Sequence, residues 1–275
     1  MRFSLIGCGK VGVTMAYFLH RRNRLVGVYD IDRQARRRAM RILGVTKSPA
    51  YPLFLKTSDV VLIAVPDDRI RDAFHQVRRY LGSTACVIHF SGVLPAEIFP
   101  KSERLTRGAA HPFATFPRLK IPPPRKRYQL FIQGDRKALT IMRQLFAPDH
   151  FTLIPVSRSR KGFVHLAGVM ASNLLVGLAL AARQSGRRAG WTDRQVQTCL
   201  LPLMQETMTN IQDLGLAQAL SGPVRRGDLR TVRKHLKMLS GKNAGLREVY
   251  RQLSRSLIGY APRAKQPSLR RLLGL

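Results

Sequence analysis

Three glycines near the start of the chain are spaced as Gly-Cys-Gly-Lys-Val-Gly, over residues 7–12. A short apolar run with Phe3 and Leu5 precedes them and predicts a buried strand. The residues that follow are apolar at helical spacing, as at Met15 and Phe18. A strand, a glycine-rich turn and a helix in this order are typical of the first βαβ unit of an α/β domain. No other feature of the sequence constrains the fold as strongly.

Each glycine has its own physical reason in that context. Gly7 permits a tight turn, Gly9 lets the backbone approach a pyrophosphate, and Gly12 lets the helix pack closely on the strand. The helix N-terminus adds free N–H groups and a positive dipole end for phosphates. The next predicted strand ends in Asp30, and an acidic residue about 20 residues beyond the glycines binds a ribose 2′-hydroxyl. We therefore predict a dinucleotide site; the alternative is a βαβ unit without a cofactor.

The choice between NAD and NADP stays open. Asp30 favours NAD, because its carboxylate bonds the 2′-hydroxyl and repels a 2′-phosphate. Arg33 and the run Arg36 to Arg38 can bind that phosphate instead. The strand of residues 59–66 closes with the sequence Ala-Val-Pro-Asp at 64–67. The loop at this strand end, whose conformation Pro66 restricts, is predicted to lie beside the nicotinamide. The predicted cofactor-binding residues are Gly7, Gly9, Lys10, Val11, Gly12, Asp30, Arg33, Val65 and Pro66.

Strands and helices alternate up to about residue 155, which predicts a parallel sheet with right-handed crossovers. Strand signals then stop, and residues 158–188 predict one long helix with a potential break. The predicted fold class is α/β. An N-terminal Rossmann parallel-sheet domain (residues 1–155) precedes an all-helical domain for substrate binding and dimerisation (residues 156–275). Residues 263–275 are predicted to be a mobile basic tail, with a partner-binding helix as the alternative.

The net charge of the chain is +33, from 48 Lys and Arg against 15 Asp and Glu. The excess is spread evenly, with +17 over residues 1–155 and +16 over residues 156–275. Such a field attracts anions over long distances. Since no nucleic-acid-binding motif accompanies it, we expect only non-specific binding of nucleic acids at low salt. A solvated basic surface set by habitat or codon bias is the alternative.

One apolar segment, residues 166–182, is shorter than the roughly 20 residues of a membrane span and carries Ser172 and Asn173 in its middle. We therefore predict a helix buried within a helical domain or a dimer, and no membrane association. The three cysteines fit no metal-binding pattern and indicate reduced thiols. No signal-peptide pattern precedes the first strand. These features predict a cytoplasmic protein without a metal site.

Candidate chemical groups stand at the predicted carboxyl ends of strands, where α/β sheets bind ligands. Ser91 and Gly92 follow one strand. Ser91 and the N–H groups after it can hold a substrate carboxylate or carbonyl, or they form an ordinary capped turn. His111 is restricted to extended conformations by Pro112, and a histidine there can transfer protons near neutral pH.

The long helix after the sheet carries Lys161, His165 and Asn173. A lysine whose pKa is lowered by burial can protonate a developing alkoxide or amine, and Asn173 can orient a substrate by hydrogen bonding. A solvated lysine is the alternative. Further along, Arg226 or Arg225 is predicted to contact an acidic substrate, within one chain or across a dimer interface. Alternatively, this segment only joins two helices, with Asp228 as a cap.

At these residues the chain resembles Rossmann-like oxidoreductases that carry a C-terminal helical domain of unknown function. The shared motifs are the three glycines, His-x-Ser-Gly at 89–92, His111-Pro112, the helix with His165, Ala167 and Asn173, and Gly-Pro-x-x-Arg-Gly-Asp at 222–228 followed by His235. That group is similar to the superfamily of 6-phosphogluconate, 3-hydroxyacid, ketopantoate, pyrroline-5-carboxylate and prephenate dehydrogenases. The resemblance implies NAD(P) binding and a homodimer built by the helical domain.

The sequence thus predicts an NAD(P)-dependent oxidoreductase that transfers a hydride between nicotinamide and a C=O or C=N carbon of a small anionic metabolite. The sequence does not distinguish one such metabolite from another. The predicted catalytic residues are Lys161, His111 and Asn173, with Lys161 or His111 handling the proton. The predicted substrate-binding residues are Ser91, Gly92, His165 and Arg226. The alternative is a regulatory protein that senses the dinucleotide without turning it over.

Overall fold

A seven-stranded sheet in the order β2-β1-β3-β4-β5-β6-β7 forms the N-terminal part of the chain. The computed structural model describes all residues except 47, 49, 50, 83, 84, 103, 104, 120–122, 124, 242 and 243. The strands are β1 (Arg2–Ile6), β2 (Arg24–Tyr29), β3 (Val60–Ile63), β4 (Cys86–His89), β5 (Thr106–Pro112), β6 (Tyr128–Gly134) and β7 (Phe151–Pro155). The strand order reverses between β1 and β3, and such a reversal opens a crevice at the carboxyl ends of the strands.

Helices cover both faces of the sheet. They are α1 (Lys10–Leu19), α2 (Arg33–Ile42), α3 (Ile70–Val77) and α4 (Arg136–Leu145). All four residues of β3 are fully buried, as expected for an uninterrupted apolar run in a parallel strand. The core on one face contains Phe3 and Leu5. The core on the other contains Phe54 and Phe74.

One strand departs from the predicted all-parallel sheet: β6 runs antiparallel to β5, whereas the other neighbouring pairs are parallel. The described residues between β5 and β6 form no helix. Without a crossover helix the chain does not return to the opposite end of the sheet, so the next strand runs back beside the last one. The α/β class is confirmed, with a mostly parallel sheet.

Described residues beyond β7 form no strand. The helices are α5 (Arg158–Ala171), α6 (Asn173–Arg188), α7 (Asp193–Gln195), α8 (Leu201–Ala219), α9 (Gly222–Arg226), α10 (Leu229–Met238), α11 (Ala244–Leu257) and α12 (Gln266–Leu273). The predicted break of the long helix lies at Ser172, whose backbone is not helical.

Two compact units divide the chain, Met1–Asn173 and Leu174–Leu275. The first unit therefore extends past the predicted domain boundary between residues 155 and 156. It includes α5, because Lys161 bonds to the backbone of Ser91 and the His165 ring packs against Gly92.

The C-terminal residues fold, and the prediction of a mobile tail is wrong. Leu269 and Leu273 of α12 are fully buried in a small core of the second unit. Arg251 and Arg255 of α11 both donate hydrogen bonds to the carbonyl oxygen of Leu273. Burial of these two leucines thus fixes residues 263–275 in place, although the high charge of this segment alone predicts mobility.

The stretch Arg158–Arg188 is long and apolar enough to cross a membrane by length and composition, and none of its most apolar window is buried within the chain. Phe163 is 75% exposed and Val176 is 62% exposed. The expectation that the helical domain itself buries this helix is therefore wrong. The apolar spacing of this stretch indicates that one helix face is covered, but it does not identify the chain that covers it. Burial of the stretch in a dimer stays a prediction.

Candidate active site

The glycine-rich turn between β1 and α1 contains two glycines that the fold itself requires. Gly7 has a φ of +94°, and a Cβ there would lie 2.5 Å from the carbonyl oxygen of Ala64. A Cβ on Gly12 would lie 2.4 Å from the carbonyl oxygen of Gly7. By contrast, a Cβ on Gly9 would have no described atom within 4 Å. Gly9 therefore borders open space in front of the first turn of α1.

Asp30 lies directly beside this turn. Its Oδ2 accepts the backbone N–H of Cys8 at 2.6 Å, and its Oδ1 accepts that of Asp32 at 2.9 Å. These two bonds fix the carboxylate at the carboxyl ends of β1 and β2. Arg33 is exposed in the first turn of α2, so both predicted determinants of cofactor choice stand at this edge.

Other predicted cofactor residues surround the same turn. Lys10 donates from Nζ to the carbonyl oxygen of Pro117 at 2.9 Å, which ties the segment after β5 to the turn. Val11 is half-buried against the core. Val65 would lie 3.0 Å from a Cβ on Gly7, and Pro66 precedes the short 3-10 turn Asp67–Arg69.

The loop after β4 is braced by its own polar side chains. Ser91 donates its hydroxyl proton to Asp67 Oδ2 at 2.7 Å. The Ser91 hydroxyl oxygen in turn accepts the N–H groups of Val93 and Leu94 at 3.2 and 2.9 Å. One donor and two acceptor positions are the full capacity of a hydroxyl, so this hydroxyl is already saturated. Ser91 therefore shapes the loop in this structure, while its predicted contact with substrate stays a prediction.

His89 forms hydrogen bonds with the backbone of the same loop and is fully buried. Its Nδ1 accepts the N–H of Ser91 at 3.2 Å, and its Nε2 lies 3.2 Å from the carbonyl oxygen of Pro95. This pattern assigns the proton to Nε2 of a neutral ring. Burial lowers the pKa of His89 to about 4, and the positive charge of Lys161 adds to the shift.

Lys161 projects from the first turn of α5 and is 1% exposed. Its Nζ donates a hydrogen bond to the carbonyl oxygen of Ser91 at 2.7 Å. Burial lowers the pKa of Lys161 to about 8, although the negative charge of Asp67 opposes the shift. An amine with this pKa exchanges a proton readily near neutral pH.

Gly92 lets two imidazoles approach the loop. A Cβ on Gly92 would lie 2.2 Å from Nδ1 of His165 and 2.9 Å from Cε1 of His111. The two rings meet edge to face with centroids 5.3 Å apart. Burial lowers the pKa of His111 to about 4, with Lys161 as the second cause, so this ring is neutral at pH 7.

A cavity of about 260 Å³ opens beside these rings. His111, His165 and Asn173 line it together with Phe113 and the helical turn that contains Gly168. A Cβ on Gly168 would lie 2.8 Å from the ring of Phe113, so this glycine lets the aromatic wall pack against α5.

The structure thus brings together Ser91, Gly92, His111, Lys161, His165 and Asn173, all within the first unit. Asp67 and His89 join them, and sequence reasoning had given neither residue a role. Asp67 was marked only by its position directly after Val65-Pro66 at a strand end. Among the described residues no cluster of metal-binding side chains occurs.

Arg226 belongs to the second unit, where most residues of its motif have structural tasks. Gly227 has a φ of +69° and ends α9, and Asp228 accepts the N–H of Thr231 to cap α10. Arg226 itself is exposed. The helix-joining role therefore accounts for the glycines and the aspartate, and the role of Arg226 toward substrate stays a prediction.

Comparison with known proteins identifies both parts of the chain. Residues 1–117 match a Rossmann-like domain, and residues 128–257 match the domain of unknown function DUF2520. The chain is a Rossmann-like protein with a DUF2520 domain. The two matches together span the sheet, α5 and most of the helical unit. No curated protein matches this Rossmann-DUF2520 chain significantly.

Solved structures share this fold over nearly the whole chain. BF3122 from Bacteroides fragilis has 20% identity and a TM-score of 0.74, covering 94% of this chain and 98% of that chain. TM1727 from Thermotoga maritima has 24% identity and a TM-score of 0.70, with the same coverage. A semialdehyde dehydrogenase NAD-binding protein from Cupriavidus necator, solved with calcium and NAD, has 20% identity and a TM-score of 0.64, covering 98% and 99%. At such identities the likeness shows the fold.

Replacing Gly92 by Ala is expected to displace the two imidazoles, because the new methyl group needs the space that they occupy. We expect the free energy of unfolding to fall by about 1–3 kcal/mol. We also expect the pKa of His111 to rise from about 4 towards its ordinary value as the ring becomes hydrated. Urea unfolding and an NMR titration of the histidines measure the two effects.

Gly162→Ala is the matched control, since a Cβ at Gly162 has no described atom within 4 Å. This helical substitution should leave the His111 titration unchanged and stabilise the protein by up to about 1 kcal/mol. An unchanged His111 titration in Gly92→Ala would contradict the contact.

Proposed function

We propose that this protein is an NAD(P)-dependent oxidoreductase acting on a small anionic metabolite. The observation that carries the proposal is the buried Lys161, held by the loop after β4 near His111 and His165, and these two histidines line a small cavity. A sensor of dinucleotides has no need for a proton-exchanging lysine at this position. The bound NAD in the Cupriavidus necator neighbour supports a nicotinamide cofactor on this fold.

The residues of the glycine turn fit a dinucleotide. Gly9 leaves open the volume that a side chain would fill. The first N–H groups of α1 have no carbonyl partner within the helix, so they are available to a pyrophosphate. Asp30 stands where a ribose hydroxyl binds, and the exposed Arg33 stands where a 2′-phosphate binds. The proposed cofactor is therefore NAD or NADP, without a preference.

When bound, the cofactor supplies or accepts a hydride at the nicotinamide ring. The chain supplies the proton and the orientation. The ammonium of Lys161 protonates the atom that gains negative charge, while the neutral ring of His111 and the side chain of His165 form one wall of the substrate site. Asn173 donates or accepts a hydrogen bond to the substrate. Arg226 contributes a charge for an acidic substrate, as proposed from the sequence.

A homodimer is part of the proposal. Val176 in α6 and Leu203 and Leu216 in α8 are 62%, 60% and 69% exposed. Exposed apolar residues repeated along two helices of one unit are typical of an interface. A second copy of this chain, rather than a membrane, is the proposed cover. The protein is then cytoplasmic, and its basic surface binds nucleic acids only non-specifically.

Gly9→Val is expected to abolish binding of NADH and NADPH without unfolding the protein, because the side chain fills the space meant for the pyrophosphate. Calorimetry with both coenzymes measures the affinity, and thermal melting measures stability. Gly12→Ala is the contrasting variant. Its Cβ meets backbone at 2.4 Å, so the free energy of unfolding should fall by about 1–3 kcal/mol. Normal coenzyme binding in Gly9→Val would refute the site.

The rate of substrate reduction is expected to fall as pH rises through about 8, since that is the pKa of Lys161 and its ammonium form is the donor. The rate of oxidation should rise over the same interval. Lys161→Met should lower kcat by about 10²- to 10⁴-fold and remove the dependence. His111→Gln should keep it, because His111 is already neutral there. Tight coenzyme binding without turnover of any substrate would instead favour the sensor.

Val176→Glu is expected to convert a dimer into a monomer, because the carboxylate loses its hydration when the interface forms. Sedimentation equilibrium measures the mass. Ser185→Glu places the same charge at an exposed polar position of α6 and should leave the dimer intact. A monomeric unmodified protein at micromolar concentration would exclude this assembly.

A further inference from the structure

A buried cation without an anionic partner stands at the centre of the proposed site. Lys161 is 1% exposed, and its hydrogen bond at 2.7 Å goes to a neutral carbonyl oxygen of Ser91. None of the ion pairs formed by described residues includes Lys161. A buried ammonium is normally paired, because burial removes its hydration. The field of this unpaired charge therefore acts on a ligand that binds beside it.

The groups around Lys161 do not cancel its charge. His89 and His111 both feel it, since it is the second cause of the fall in their pKa values. Asp67 is the acidic residue that the described structure places near both Lys161 and His111. Its Oδ2 accepts the Ser91 hydroxyl proton, and its side chain is exposed, so water screens much of its charge. At His111 the charge of Lys161 therefore outweighs that of Asp67.

The positive charge of Lys161 has opposite effects on the two reacting groups that the proposed function allows, an imine and a carbonyl. An imine is reduced as its protonated iminium, and the product amine is an ammonium near neutral pH. Both carry positive charge at the atom nearest to Lys161, where like charges repel in a site shielded from water. A carbonyl is neutral, and its oxygen gains negative charge during reduction. That charge is stabilised by the same ammonium.

We propose that the site acts on carbonyl and hydroxyl carbons and excludes iminium and amine substrates. This inference rests on the proposed oxidoreductase function and narrows its substrate class. In reduction, the carbonyl carbon receives a hydride with its electron pair from the reduced nicotinamide cofactor. The carbonyl oxygen takes a proton from the Lys161 ammonium, and the hydroxyl product leaves. The neutral amine of Lys161 then regains a proton from water.

Cavity size indicates which compounds to compare. The cavity of about 260 Å³ is at the small end of the range of ligand pockets. The acid 2-oxopentanoate, with eight non-hydrogen atoms, is of that size. Its matched imine is 1-pyrroline-2-carboxylate, which has the same carbon number and the same carboxylate. The acid 2-oxohexanoate and 1-piperideine-2-carboxylate form a second pair.

The test measures kcat/KM for both members of each pair, with NADH and with NADPH, at pH 7. We expect the carbonyl compound to exceed its imine by on the order of 100-fold. Equal or greater activity on the imines would overturn the inference and leave the oxidoreductase function standing. Absence of turnover in every pair, with tight coenzyme binding, would contradict the proposed function and the inference together.

Binding of unreactive partners gives a readout that does not depend on catalysis. With oxidised coenzyme bound at low pH, where turnover is slow, calorimetry compares 2-hydroxypentanoate with norvaline, its amino counterpart. We expect the hydroxy acid to bind at least about 10-fold more tightly. Equal affinity would count against the positive field.

Lys161→Met tests the cause of the preference. Methionine has a similar length without the charge, and replacing an unpaired buried ammonium by an apolar group preserves the fold. The ratio of hydroxy-acid to amino-acid affinity should fall to near one. Arg160→Gln removes a charge from the exposed neighbouring position on α5 and should keep the ratio. Persistence of the preference in Lys161→Met would assign it to another group and overturn the inference.

Discussion

The hydrogen bond from Lys161 to the carbonyl oxygen of Ser91 connects α5 to the loop that carries much of the candidate site. It joins the first turn of α5 to the carboxyl end of β4, so the chain that leaves the last strand is fixed over the loop that His89 and Ser91 brace. An apolar side chain would fill this position at a lower cost in free energy, because it has no hydration to lose. Stability therefore does not explain the ammonium at this position, and the proposed function gives it a role.

Glycines set the spacing around that bond. At Gly12, Gly92 and Gly168 another group occupies the space where a Cβ would stand: the carbonyl oxygen of Gly7, the His165 ring and the Phe113 ring. These positions are filled, so a side chain there is excluded by the protein itself. Gly9 is different because the space beside it is open. Packing explains the other three glycines but not Gly9, which the proposed function places against a pyrophosphate.

Features set by neighbouring residues along the chain could be predicted from the sequence. The glycine turn, the helix break and the grouping of Lys161 with His165 depend on local spacing, and the structure contains all of them. The saturated hydroxyl of Ser91 could not be predicted, because its partner Asp67 is distant in the chain. The folded tail also depends on distant contacts, since Leu269 and Leu273 gain stability only against a core assembled from other helices. The antiparallel direction of β6 likewise could not be predicted, because it depends on the path of the connection from β5, which composition does not reveal.

The charge of +33 and the single buried ammonium act over different distances. Exposed charges are screened beyond roughly 8 Å at physiological salt, so the basic surface gathers anions but does not distinguish a carbonyl from an imine. Lys161 is shielded from water, and its field at a bound atom is screened far less. In the proposed function, surface charge governs how often an anionic metabolite meets the site, and the buried amine governs which reacting group is tolerated. Only the first of these two effects depends strongly on ionic strength.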